Sequence, residues 1–318
     1  MSDAIKSIGT LDYFVLDVFT DTPLTGNQLA VVLSPGILSV EAMQVIARET
    51  NLSETTFVER REVAIERREG VRVRIFTTEE ELPFAGHPTL GTASLLRVIA
   101  PECVLADTVN LALNVGTVPV RFDAQEGTTS QWPVRGEMTQ KDPVFGDELD
   151  SAEVADLTGL TLEDLDPDRP VQIVSTGTAF AIVPLRSASA LARLRVRQDE
   201  ATTYLRARGA RWFYVLGPAG QRDPGRPGET EWRARMQFNG GEDPATGSAA
   251  GCAISYLVKH SAVASGETIH LRQGVEILRP SDIFLRATLN VTSQDTKVTD
   301  VRVGGSTILV AKGQLFLP

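Results

Sequence analysis

Phe84-Ala85-Gly86-His87-Pro88-Thr89 and Glu242-Asp243-Pro244-Ala245-Thr246-Gly247-Ser248-Ala249 are the stretches that decide the fold. Each opens a run of small and apolar residues, Pro88 to Ile99 in the first case and Ala245 to Lys259 in the second. A run that is apolar nearly all round predicts a helix covered on every side. Each run follows an alternation of arginine and apolar residues, Val71-Arg72-Val73-Arg74-Ile75-Phe76 and Trp232-Arg233-Ala234-Arg235. Such period-two patterning marks a half-buried strand. The chain therefore reads as two copies of one unit, each pointing the start of a buried helix at something polar.

The copies extend outward from these stretches. Thr25-Gly26-Asn27-Gln28-Leu29-Ala30-Val31-Val32 matches Thr176-Gly177-Thr178-Ala179-Phe180-Ala181-Ile182-Val183 at an offset of 151 residues. Phe57-Val58 matches Tyr214-Val215 loosely, Pro88 matches Pro244, and Gly116 matches Gly274. β-rich chains repeat turn and strand signals by composition alone, but the near-constant offset favours duplication. Tyr13 to Val18, Leu29 to Leu33, Thr55 to Val58, Thr108 to Leu113 and Thr117 to Phe122 read as strands, and Ser39 to Thr50 as an amphipathic helix. A curled sheet around each central helix supplies the cover that helix needs. The expected fold class is α+β: two pseudo-symmetric domains, each a barrel-like, mostly antiparallel sheet around a central helix, facing each other across a cleft. The first domain is expected over residues 1–130, with the C-terminal strand 300–318 a candidate to complete it. The second is expected over 131–318. Asp123 to Asp150 is rich in breakers and reads as the boundary, and Gly217 to Gly228 reads as an exposed insertion.

Bulk properties narrow the function. The 318 residues are 42% apolar and 23% charged, the balance of a globular protein with a full core. Thirty-one basic against 41 acidic residues give a net charge of −10, which argues against a nucleic-acid binder. Cys103 and Cys252 are the only cysteines, too few for a disulfide scaffold. Met1 to Thr10 has no basic segment leading into an apolar run, and no apolar stretch is long enough to span a membrane. A cytoplasmic protein without nucleic-acid or membrane partners is expected.

The candidate chemistry gathers at the two helix starts. The first N–H groups of a helix lack intrahelical partners and sit at the positive end of its dipole. Thr89 and Gly91 in one helix, and Thr246, Gly247 and Ser248 in the other, would present such groups to a small anion. Ordinary capping by Thr and Ser explains the same residues. Glu54 is the lone acid in Asn51-Leu52-Ser53-Glu54-Thr55-Thr56-Phe57, where a helix hands over to a strand. It is either a general base at an apolar cleft or a surface glutamate at a turn. His87 and Asp243 stand just before Pro88 and Pro244; they could move protons on a substrate or simply cap helices. His260 and His270 match no metal-ligand spacing and read as surface residues. Gly304-Gly305-Ser306 is no dinucleotide fingerprint, no Walker loop occurs, and Gly247-Ser248-Ala249-Ala250-Gly251 is not a nucleophile elbow.

With these residues in view, the chain resembles the phenazine-biosynthesis isomerase family, PhzF-like, within the diaminopimelate-epimerase-like fold. The resemblance rests on Asp17-Val18-Phe19-Thr20 with Gly26-Asn27, Ser53-Glu54-Thr55-Thr56-Phe57, Glu81-Leu82-Pro83-Phe84-Ala85-Gly86-His87-Pro88-Thr89-Leu90-Gly91, Glu242 to Ala249, Gln273-Gly274 with Arg279-Pro280-Ser281, and Val303-Gly304-Gly305. It implies that Glu54 is the acid/base that shuttles a proton between substrate carbons. It implies that Gly86, His87, Asp243 and Ser248 hold substrate groups, that no cofactor or metal takes part, and that the protein is a homodimer. Related racemases of the fold use two cysteines at the helix entries; this chain has none there. Thr78 stands where the family commonly has Pro, and the Gly217 to Gly228 insertion is long. The expected activity is isomerisation of a small carboxylated, cyclic substrate by acid/base proton transfer. The alternatives are a lyase or dehydratase on the same scaffold and a non-catalytic small-molecule binder. Glu54, His87 and Asp243 together argue against the binder, which has no need of that set.

Overall fold

The computed structural model describes residues 9–34, 36, 38–123, 132–220, 230–291 and 296–317. The chain divides into two compact units, Met1–Met138 with Gly304–Pro318, and Thr139–Val303.

In the first unit, Gly9–Val18 pairs antiparallel with Asn27–Ser34, which runs parallel to Thr55–Glu59. Val71–Phe76 lies antiparallel beside Thr55–Glu59 and parallel to Thr108–Leu113. Gly116–Phe122 and Val134–Thr139 follow, each antiparallel to its predecessor. Thr296–Leu317 pairs with both Gly9–Val18 and Val134–Thr139, which closes an eight-stranded barrel. The barrel's axis is filled by the helix Gly86–Ile99, buried from Gly86 to Arg97. Its approach is close: a Cβ on Gly91 would stand 2.6 Å from Leu29 and 2.7 Å from Val18. Gly26 turns the chain into the second strand at φ +67°, where a side chain would strike the Val18 carbonyl at 2.5 Å.

The second unit repeats the order. Ala179–Pro184 runs parallel to Trp212–Pro218, antiparallel to Thr230–Arg235, parallel to Ile269–Gln273 and antiparallel to Ser281–Val291 in successive pairs. Val144–Leu149 and Val171–Ser175 extend the sheet on the other side of Ala179–Pro184. The helix Gly247–Lys259 is buried along its length except at Ser248 and Lys259. Both helices are wrapped because neither has a polar face to give to water.

The division between the units, after Met138, falls in the breaker-rich stretch Asp123 to Asp150, but that stretch is not irregular. It carries the strands Val134–Thr139 and Val144–Leu149, and residues 124–131 lie outside the described residues. Alternation, buried at Val134, Gly136 and Met138, outweighs the local Pro and Gly signals. Of the Gly217 to Gly228 insertion, Gly217 is a buried residue within Trp212–Pro218, and 221–229 lie outside the described residues.

Candidate functional site

Each unit builds its polar cluster at the start of its buried helix. In the first unit, Glu54 sits directly ahead of the strand Thr55–Glu59, after the helix Val40–Thr50 ends on Asn51 in the left-handed region. Thr56 anchors that strand to the helix through a hydroxyl pair with Thr92 at 2.9 Å. His87, the second residue of Gly86–Ile99, is buried, and its Nε2 stands 3.4 Å from Oε2 of Glu54. Asn27 Nδ2 lies 3.2 Å from His87 Nδ1; an amide nitrogen only donates, so this contact calls for the ring tautomer with its proton on Nε2, the nitrogen that faces Glu54. Burial pushes the imidazole down to about 3, against the pull of a hydrogen bond to the Gln28 backbone. The His87–Glu54 contact is therefore a neutral ring facing a carboxyl group and not an ion pair. At 3.4 Å the two atoms face each other without a formed hydrogen bond between them.

The helix begins at Gly86, two residues before Pro88, with Ala85 as its cap residue and no side chain capping it. Pro88 fits in the first turn because the N–H it lacks would have no intrahelical partner. The sequence-based reading of Thr89 as an amide donor changes: its N–H and its hydroxyl both donate to the Ala85 carbonyl, at 3.2 and 2.6 Å. Gly86 and His87 are the first-turn positions whose amides point out of the helix start.

In the second unit, Asp243 is not a cap. The cap residue is Thr246, whose hydroxyl donates instead to Asp243 Oδ2 at 2.6 Å. No side chain caps Gly247–Lys259, so the amide groups of its first turn, at Gly247 and Ser248, lie at an uncapped positive end. Gln273 holds the turn, accepting from the Thr246 N–H at 3.1 Å and donating to the Asp243 carbonyl at 2.8 Å. Gln140 donates to the Gly247 carbonyl at 2.8 Å and accepts from Thr176 at 2.6 Å. The absent side chain of Gly251 makes room for Gln140, whose Oε1 would lie 1.9 Å from a Cβ there.

A second duplicated feature stands behind both helix starts. Arg74 Nε and Nη2 donate to Glu81 Oε1 and Oε2 at 2.8 and 2.6 Å. Arg235 makes the same fork with Glu242, at 2.8 and 2.5 Å. In each unit the arginine precedes the glutamate by seven residues, and the glutamate precedes the helix by five. Sequence reasoning matched the two arginine strands but missed their acidic partners, although this constant spacing was the available signal. It missed Gln140 altogether, because that residue lies in the breaker-rich stretch read as the boundary. Asn27 and Gln273 appeared only within motifs.

Other side chains fall outside these clusters. His270 is buried and paired with Asp282 at 2.6 Å, and His260 is half-buried against Gln172 at 3.0 Å; neither is the surface residue its spacing suggested. Burial pushes the Cys103 thiol up to about 12 and the Cys252 thiol up to about 11, so neither forms a thiolate near neutral pH. Among the described residues, no cluster of His, Cys, Asp or Glu is arranged to hold a metal ion, and no helix is long and apolar enough to cross a membrane.

The family model for phenazine biosynthesis-like proteins matches residues 16–313. The trans-2,3-dihydro-3-hydroxyanthranilate isomerase of Pseudomonas aeruginosa is 35% identical over 309 residues, covering 96% of this chain and 99% of its own. A solved structure described as a "predicted epimerase" from Pseudomonas aeruginosa superposes with a TM-score of 0.75 at 34% identity, covering 96% of this chain and 99% of that one. A phenazine biosynthesis protein of the PhzF family from Bacillus anthracis superposes with a TM-score of 0.80 at 24% identity, over 96% and 99% of the two chains. The last of these speaks for the fold, which is diaminopimelate-epimerase-like.

Proposed function

The chain belongs to the family of phenazine biosynthesis-like proteins and is an isomerase; from that premise we propose that it moves a proton within a small, cyclic carboxylated substrate without a cofactor. The observation that carries the reading is the Glu54 carboxyl group set against the neutral, Asn27-held imidazole of His87.

In this reading Glu54 takes a proton from a carbon made acidic by neighbouring unsaturation. The electron pair shifts along that system, and Glu54 returns the proton to another carbon, so substrate and product have the same composition. His87 acts as a neutral hydrogen-bond donor through Nε2 and steadies the carboxylate while it is charged. Uncapped amides at Gly86 and His87 hold anionic substrate groups and stabilise charge that develops during transfer. Asp243, Gly247 and Ser248 supply further substrate contacts, while Thr89 contributes through its place in the helix and Thr246, whose N–H and hydroxyl are spent on Gln273 and Asp243, through the carboxylate it holds. Trans-2,3-dihydro-3-hydroxyanthranilate, the substrate in the relative's name, is the first compound to try. A cytoplasmic homodimer belongs to the same proposal.

Proton NMR in D₂O tests it. Wild type is expected to isomerise this compound with deuterium entering the product, and Glu54→Gln to lose roughly 100-fold or more of the rate. Equal turnover by the two would remove Glu54 from the mechanism. Loss of water from the substrate would identify a dehydratase instead.

A further inference from the structure

We infer that Thr246 and Gln273 are positioning residues for Asp243, aiming its carboxylate while keeping the adjacent helix start uncapped. The inference rests on the reading of Asp243 as a substrate-binding group.

The hydrogen bonds leave one arrangement of protons. Tyr214, fully buried, donates its hydroxyl to Gln273 Oε1 at 2.9 Å. The same oxygen accepts from the Thr246 N–H at 3.1 Å. Gln273 Nε2 then donates to the Asp243 carbonyl at 2.8 Å and to Thr246 Oγ1 at 2.9 Å. Both lone-pair directions and both protons of the Gln273 amide are thus used. Because Thr246 Oγ1 accepts from Gln273, its single proton goes to Asp243 Oδ2, at 2.6 Å. The donors run in one direction, Tyr214 and Gln273 being wholly buried and Asp243 half-exposed at the far end.

Two further facts separate this from ordinary packing. A threonine at a helix cap normally bonds an amide of the first turn. Here it gives that up, and the helix start stays without a side-chain cap. The backbone is also built to bring Gln273 in. Gly274 adopts φ +74°, and a Cβ there would stand 2.7 Å from the Pro244 carbonyl and 2.3 Å from that of Arg279. Only glycine lets the end of the strand Ile269–Gln273 lie against the Asp243-Pro244 turn.

The test compares Thr246→Ser, Thr246→Val, Gln273→Met and wild type. Thr246→Ser keeps the donor and is expected to keep kcat/KM near wild type. Thr246→Val and Gln273→Met are expected to lose roughly 10- to 100-fold in kcat/KM, the scale of a slightly misplaced group, while thermal melts show folded protein. Folded Thr246→Val with wild-type kcat/KM would overturn the inference. If wild type itself turns over none of the trial substrate, the proposed function fails but this inference is still decided by a crystal structure of Thr246→Val. A rotated Asp243 carboxylate supports it, and an unmoved one overturns it.

Discussion

Burial decides the charge of His87. Its imidazole is held down to about 3 from 6.5, so between those values the unfolded chain binds a proton that the folded chain refuses. A depressed folded value means stability that is present above pH 6.5 and is lost as pH falls toward 3. The prediction is read against His87→Gln, which has no titrating ring. The stability gap between wild type and variant should narrow by about 1.4 kcal/mol per pH unit across that window. Urea melts at several pH values measure it, and a gap independent of pH would mean that the folded ring titrates as it does in the unfolded chain. At this scale Glu54 stood out as the lone acid in an uncharged stretch and His87 as the imidazole just before Pro88 at a helix start. Their partnership did not, since Asn27, Glu54 and His87 are far apart in sequence. Nothing local tells a reader that Asn27 reaches the ring or that Thr89 spends its amide on Ala85.

Helices and hairpins were legible in kind and less so at their edges. Both central helices declare themselves by being apolar all round, yet one starts two residues earlier than Pro88 suggests and the other two later than Ala245. The second offset has a tertiary cause: Gln273 takes the Thr246 N–H and holds that residue outside the helix. The Arg–Glu forks tie the hairpins ahead of the two helices to their strands, but they differ in burial. Arg235 and Glu242 are each 6% exposed, whereas Arg74 and Glu81 are 15% and 22% exposed. A buried ion pair that loses one partner leaves an uncompensated charge out of water. Glu242→Gln should therefore cost about 3–5 kcal/mol, and Glu81→Gln only about 1 kcal/mol. Thermal melts check the ranking; equal losses would mean that the second-unit fork is as well hydrated as the first. Arg235 also donates to the Leu191 carbonyl at 2.6 Å, which adds to the constraint in that unit.

At the scale of the molecule, the duplication seen in the sequence is reproduced strand by strand, with the same alternation of parallel and antiparallel neighbours in both units. The closure of the first barrel was legible as a candidate, the strand 300–318, but not in its register. It depends on Gly9 pairing with Leu317 and Val18 with Thr307, and no periodicity signals the register of a partner so far along the chain. Removing residues 304–318 should accordingly unfold the first unit and not merely shorten it, because Gly9–Val18 would lose a full-length neighbour. Limited proteolysis and far-UV circular dichroism would detect this, and a truncated chain with the native melting temperature would refute it. The same closure has a consequence for the protein's birth. Domains made on the ribosome generally fold in the order in which they emerge. Here the unit that carries Glu54 begins first and finishes last, since its final strand is translated after the whole of Thr139–Val303. The nascent chain must keep an open barrel waiting while the second unit folds, and the barrel that holds Glu54 against His87 closes only once the strand Thr296–Leu317 has emerged.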